Sequence, residues 1–164
     1  MDKMKALSFF LKIIAFGILI FIWDYIFIHY RELPAVIPVH FDLQGNADGY
    51  GTKMLVWLEA GIAAVLYFFL FYLSKNSESV LLNLPANIKE NPQTAEIAVD
   101  GLNILVMIVF AVITYESIQV GLSMQKGLGT ASNYILGGIF LYVAVILIYS
   151  WQLSRRANAQ NQEL

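Results

Sequence analysis

Three carboxylates stand inside apolar runs of this chain: Asp24, Glu59 and Glu116. A carboxylate in hydrocarbon is costly, and such a group usually faces a bundle interior or a water-filled cavity. Counted at ~1.5 Å per residue from the end of each run, all three lie roughly 8 Å below one and the same interface. Acids gathered at one depth could bind a cation, a proton or a basic peptide. Gln119, one turn beyond Glu116, could line the same cavity. Each acid could instead be hydrated near the headgroups, or paired with Arg31, Lys53 or Lys126.

A second set of candidates lies in the stretch "LPAVIPVHFDLQGNADGYGTK", residues 33–53. His29 and His40 could together ligate zinc, since imidazole is a common ligand. The simpler expectation is that His40 hydrogen-bonds within the loop and that no metal is held. Asp42, Gln44, Asn46 and Asp48 alternate as calcium ligands do. The EF-hand template, however, needs Gly where Ala47 stands and a bidentate Glu where Lys53 stands. No Ser-His-Asp order, HExxH or phosphate-binding Gly loop occurs, so neither catalysis nor a cofactor is expected.

The elements that must position these groups are membrane helices. Of 164 residues, 59% are hydrophobic and only 13% charged, too few to cover a chain of this size with polar surface in water. Apolar runs cover residues 7–28, 54–73, 102–122 and 134–151. Each is long enough to cross ~30 Å of hydrocarbon, and a lipid-exposed backbone must satisfy its own hydrogen bonds, so each is read as a helix. The expectation is therefore an all-α membrane protein with four transmembrane helices. Residues 1–28 hold the start and the first helix, 29–53 an external loop and 54–73 the second helix. Residues 74–101 form a cytoplasmic loop, 102–122 the third helix, 123–133 an external loop, 134–151 the fourth helix and 152–164 a polar tail expected to fray. Lys3, Lys5, Lys12, Lys75, Lys89, Arg155 and Arg156 fall on one side, against Arg31, Lys53 and Lys126 on the other. That asymmetry places both termini in the cytoplasm of a cell membrane. Trp23, Tyr25, Trp57, Tyr134, Tyr149 and Trp151 sit near span ends, as interfacial aromatics do. The first run is basic at its start, too long for a signal peptide and without a small-residue cleavage site, and reads as a retained signal-anchor.

Within the first loop, Pro34 and Pro38 keep the chain extended and end the first helix. "VHFD" alternates like a short strand, and "GNADG" is turn chemistry. The loop is expected to be a compact, partly extended cap over the first two helices, with Phe41 and Tyr50 packed toward the membrane. Pro85 and Pro92 read as helix breakers in the cytoplasmic loop. Gly17, Gly61, Gly137 and Gly138 could allow close helix packing. With no cysteine, disulfides and thiolate metal sites are excluded, and no block of like charge suggests nucleic-acid binding.

Residues 33–53 resemble the signature of the domain of unknown function 1648: Leu33, Pro34, Ile37, Pro38, His40, Phe41, Gly45, Asp48 and the closing Lys53 before a membrane helix. Asp42 departs from the Asn frequent there. "PANIKEN", "SIQVGL" and "GLG" look like later parts of the same family, carrying the likeness to about residue 129. The resemblance implies a bacterial membrane module related to the one in the immunity protein against the sporulation-delay toxin, and it implies no catalytic residues. The expectation is an integral membrane protein that senses, or gives immunity to, a secreted peptide or toxin. The alternatives are a small proton- or cation-coupled transport component and a structural subunit docking through its uncharged fourth span. Expected partners are the lipid bilayer, a secreted peptide or another membrane protein, and not nucleic acid.

Overall fold

The computed structural model describes residues 2–42, 44–129 and 131–162. In chain order the elements are α1 (Lys3–His29), β1 (Val36–Phe41), β2 (Ala47–Thr52), α2 (Leu55–Lys75), α3 (Ala86–Lys89), α4 (Pro92–Gly121) and α5 (Ala131–Gln162). Among the described residues, α1, α2, α4 and much of α5 are long and apolar enough to cross a membrane. This is an all-α membrane protein whose first loop carries a two-stranded sheet.

The helices α1, α2 and α4 form the bundle, with α4 touching both of the others and also α5 and β1. On α1 the buried positions Ala15, Leu19, Ile22 and Ile26 recur at helical spacing and form one stripe. They meet Ala60 and Ala63 of α2 and Met107, Ala111 and Ile118 of α4 in one core. Large apolar side chains such as Phe10, Phe27, Val65 and Phe68 point outward and are exposed. In water they would be an aggregation surface; in a bilayer they are the lipid face.

Two boundaries differ from the sequence reading. Pro92 does not break a helix but begins one. It occupies the first turn of α4, where its missing N–H leaves no bond unmade. Asn91 caps that end, its side-chain oxygen accepting from Gln93 N at 3.1 Å and Thr94 N at 3.2 Å. The third helix thus starts at Pro92 rather than at residue 102. The polar tail does not fray either: α5 continues as helix to Gln162. Thr130 in the second connecting loop and the last two residues of the tail lie outside the described residues.

The glycines that permit close packing are also not those expected. A Cβ on Gly17, Gly61, Gly137 or Gly138 would meet nothing within 4 Å. At Gly101 it would fall on the Tyr142 hydroxyl, and at Gly121 it would lie 3.0 Å from Leu33 Cδ2. Gly101 is the notch that seats α5, where Tyr142 OH donates to Ala98 O at 2.8 Å. Gly121 lets the hairpin approach α4. Residues Asn87, Ser150 and Ser154 hold α5 to the α3 segment through hydrogen bonds.

Candidate functional site

The family-like loop is an antiparallel hairpin pairing Val36 with Thr52, Ile37 with Gly51, Pro38 with Tyr50, His40 with Gly49 and Phe41 with Ala47. The register slips on either side of His40, leaving Val39 and Asp48 as the extra residues. Such bulges re-aim side chains. Here the result is that His40 Nδ1 meets Asp48, on an exposed face. At the tip, Asp42 Oδ1 accepts from Gln44 N at 2.9 Å and Asn46 N at 2.8 Å, while Asn46 Nδ2 donates to Asp42 Oδ2 at 3.0 Å. The carboxylate that headed the calcium pattern is therefore engaged in closing the turn. Those bonds, the Asn46 amide first, hold its pKa below the ordinary Asp value. Gly45 takes φ +83, a left-handed conformation that only glycine adopts freely. Its carbonyl accepts from Leu128 N at 2.8 Å, joining the hairpin tip to the loop between α4 and α5.

The closing lysine of the motif has a concrete task. Lys53 Nζ donates to Tyr30 O and Leu33 O, each at 3.0 Å, and lies 4.7 Å from the Tyr30 ring centroid. It places a cation on the carbonyl end of α1, where the helix dipole favours one. The hairpin is pinned to the bundle by Leu33 and Ile37, both buried in the same core as α1, α2 and α4. Phe41 is half-buried, but Tyr50 is 66% exposed, so Tyr50 does not pack down as its aromatic character suggested.

Beneath the hairpin lies a cleft of about 370 Å³. Motif residues Ile37, Pro38 and Phe41 form its roof, with Leu58 and Ile62 of α2 and Ile113 of α4 among its walls. Glu59 is the one ionisable side chain among its described lining residues. Thr114 Oγ1 donates to Glu59 Oε1 at 2.9 Å, tying α2 to α4 at the cleft floor.

The three acids of the sequence reading do not form one cluster. Glu59 is half-buried in this cleft, whereas Asp24 is exposed, turned away from the Ile22–Ile26 stripe of α1. Glu116 is buried, at 5% exposure, but stands two residues beyond Thr114. Glu116 is not among the described residues that line the Glu59 cleft. Equal depth was legible in the spacing; helix rotation was not. Gln119 donates to Tyr25 OH at 2.7 Å and so joins α4 to α1. His29 pairs with Glu32, leaving the two histidines in separate contacts. Among the described residues no group of three or more His, Cys, Asp or Glu is placed to hold a metal.

A second polar centre, at the opposite end of the bundle, was not expected. Lys12 of α1 reaches Asp100 and, at 2.8 Å, Glu96 of α4. Ser8 Oγ lies 2.8 Å from an oxygen of each carboxylate, and Lys75 of α2 pairs with Glu96 from the edge. The signal was present: a lysine one turn inside an apolar run requires a partner.

The hairpin, the apolar exterior and the bundle define a multi-pass helical membrane protein whose first two spans are joined by an anchored β-hairpin. Residues 17–64 match the family model described as Domain of unknown function (DUF1648), so this part of the chain is similar to that family. The match takes in the second half of α1, the whole hairpin and the start of α2 including Glu59. It ends before the "PANIKEN" and "SIQVGL" segments to which the sequence resemblance had been extended. No curated protein and no solved structure matches the chain.

Proposed function

We propose that this protein is a receptor in the cell membrane that binds a secreted peptide on its hairpin side, for sensing or for immunity, with both termini in the cytoplasm. The observation that carries this reading is the cleft roofed by Ile37, Pro38 and Phe41, because residues of the family motif bound a space of about 370 Å³ that a ligand could enter at that end. The seven-to-three split of basic residues supports an outward-facing hairpin. A cleft of that size, mostly apolar with one convergent charge, has the character of a binding site.

Deleting the gene should sensitise its host to at least one peptide secreted by the host or its neighbours. A wild-type copy should restore resistance, and a copy carrying Ile37→Asp, which unseats the hairpin, should not. Unchanged survival across a broad panel of secreted peptides would overturn the reading. A second reading, a proton- or cation-coupled transport component, is favoured by one observation: the buried Lys12–Asp100–Glu96 network between α1 and α4. Charges buried among spans often mark ion paths. Vesicles containing the purified protein would then show an ion or pH flux that Asp100→Asn removes.

A further inference from the structure

Resting on the receptor reading, we infer that the cleft under the hairpin selects a peptide segment that brings a basic group beside an apolar side chain. The walls decide the second half of that description. Phe41, Leu55, Leu58, Ile62 and Ile113 surround the space, so an entering group must be apolar to be held there. At about 370 Å³ the cleft accommodates one or two side chains and not a folded partner. Glu59 decides the first half. Its carboxylate is half-buried, on a helix that crosses the bilayer, and its described partner is the neutral Thr114 hydroxyl. A hydroxyl orients a carboxylate but does not neutralise it. Among the ion pairs of the described residues, none reaches Glu59, whereas Lys12 and Lys75 serve the acids at the other end of the bundle. An incoming ammonium or guanidinium would supply the missing charge through a short, charge-assisted bond in a low-dielectric setting. The same carboxylate repels an acidic segment or a phosphate. Charge complementarity therefore commits the cleft to a basic amphipathic peptide.

The inference is tested on the full chain in phosphatidylcholine nanodiscs with two fluorescent amidated tetrapeptides of Leu and Trp, one carrying Lys and the other Nε-acetyl-lysine. The Lys peptide should bind about tenfold more tightly, the equivalent of one charge-assisted contact. Glu59→Gln, which keeps shape and the Thr114 bond, should bring the two peptides together, and Glu59→Asp should preserve the preference. Ile62→Trp, which fills the cleft, should weaken both, with the melting temperature of each variant reporting that the protein is folded. Equal binding of the two peptides by wild type would overturn charge selection, as would an absence of binding by either. In both cases the receptor reading stands or falls separately on the deletion phenotype. If phosphatidylethanolamine in the nanodisc stabilises wild type but not Glu59→Gln while the peptides are not discriminated, the occupant is a lipid amine and the inference fails.

Discussion

Asp42 is half-buried at the hairpin tip, with both carboxylate oxygens engaged by the turn it closes. The donors favour its charged form, the Asn46 side chain most, so its pKa in the folded hairpin lies below that in the unfolded chain. A group with a depressed folded pKa contributes stability above its unfolded value, near 4 for Asp, and loses that contribution as pH falls through the folded value. Amide proton shifts of Gln44 and Asn46, followed by NMR, should titrate with a midpoint below that of free Asp. Asp42→Asn should keep the turn and abolish the titration; a midpoint at or above the ordinary value would show that the turn does not hold the carboxylate. At the same scale, His40 and Gly49 explain each other. A Cβ on Gly49 would lie 2.8 Å from the His40 Cβ, so the cross-strand pair tolerates only one side chain there.

At the scale of the element, α4 is the member on which the rest is assembled. One end carries Glu96 and Asp100 for Lys12, the middle carries Asn103, whose Nδ2 donates to Tyr67 O at 3.2 Å, and the far end carries Thr114 and Gln119. The helix therefore has to begin at Pro92: if it began at residue 102, both acids would fall in the preceding loop. The Lys12–Asp100 pair is buried, with 11% of the lysine side chain and none of the aspartate exposed. Removing one member of such a pair leaves an uncompensated charge and costs about 3–5 kcal/mol, whereas replacing both by apolar groups can be nearly neutral. Asp100→Leu or Lys12→Met alone should thus sharply lower the unfolding temperature in detergent, and the double variant should recover much of the loss. Simple additivity of the two losses would show that the pair does not act as a unit.

At the scale of the whole molecule, the hairpin closes one end of the three-helix bundle and the Lys12 network closes the other. Ile37, Leu33 and Gly121 knit the first closure; Ser8, Lys12, Glu96 and Asp100 knit the second. The helix α5 is attached from outside, through the Tyr142 notch and the Ser150 and Ser154 contacts, and its spanning portion buries nothing in the core. If the basic asymmetry sets direction, reporter fusions after Asn158 should register as cytoplasmic and insertions in the 45–48 turn as external. The reverse pattern would place the hairpin cleft on the cytoplasmic side and remove secreted peptides as its ligands.

What the sequence by itself determined is what depends on runs and local chemistry. Four apolar stretches require four helices because hydrocarbon leaves no other way to satisfy a backbone. Pro34, Pro38 and the Gly-Asn-Ala-Asp-Gly turn require an extended, reversed loop, because their φ preferences allow little else. Tertiary structure alone decided which residues meet. Asp24, Glu59 and Glu116 share a depth that can be counted along the chain, but rotation about each helix axis is set by packing, and packing left Asp24 exposed, Glu59 lining the cleft and Glu116 buried outside that lining. The same holds for Gly101 and Gly121 against the uninvolved Gly17 and Gly61: a glycine matters to packing only where a neighbouring side chain arrives, and arrival is a property of two elements together.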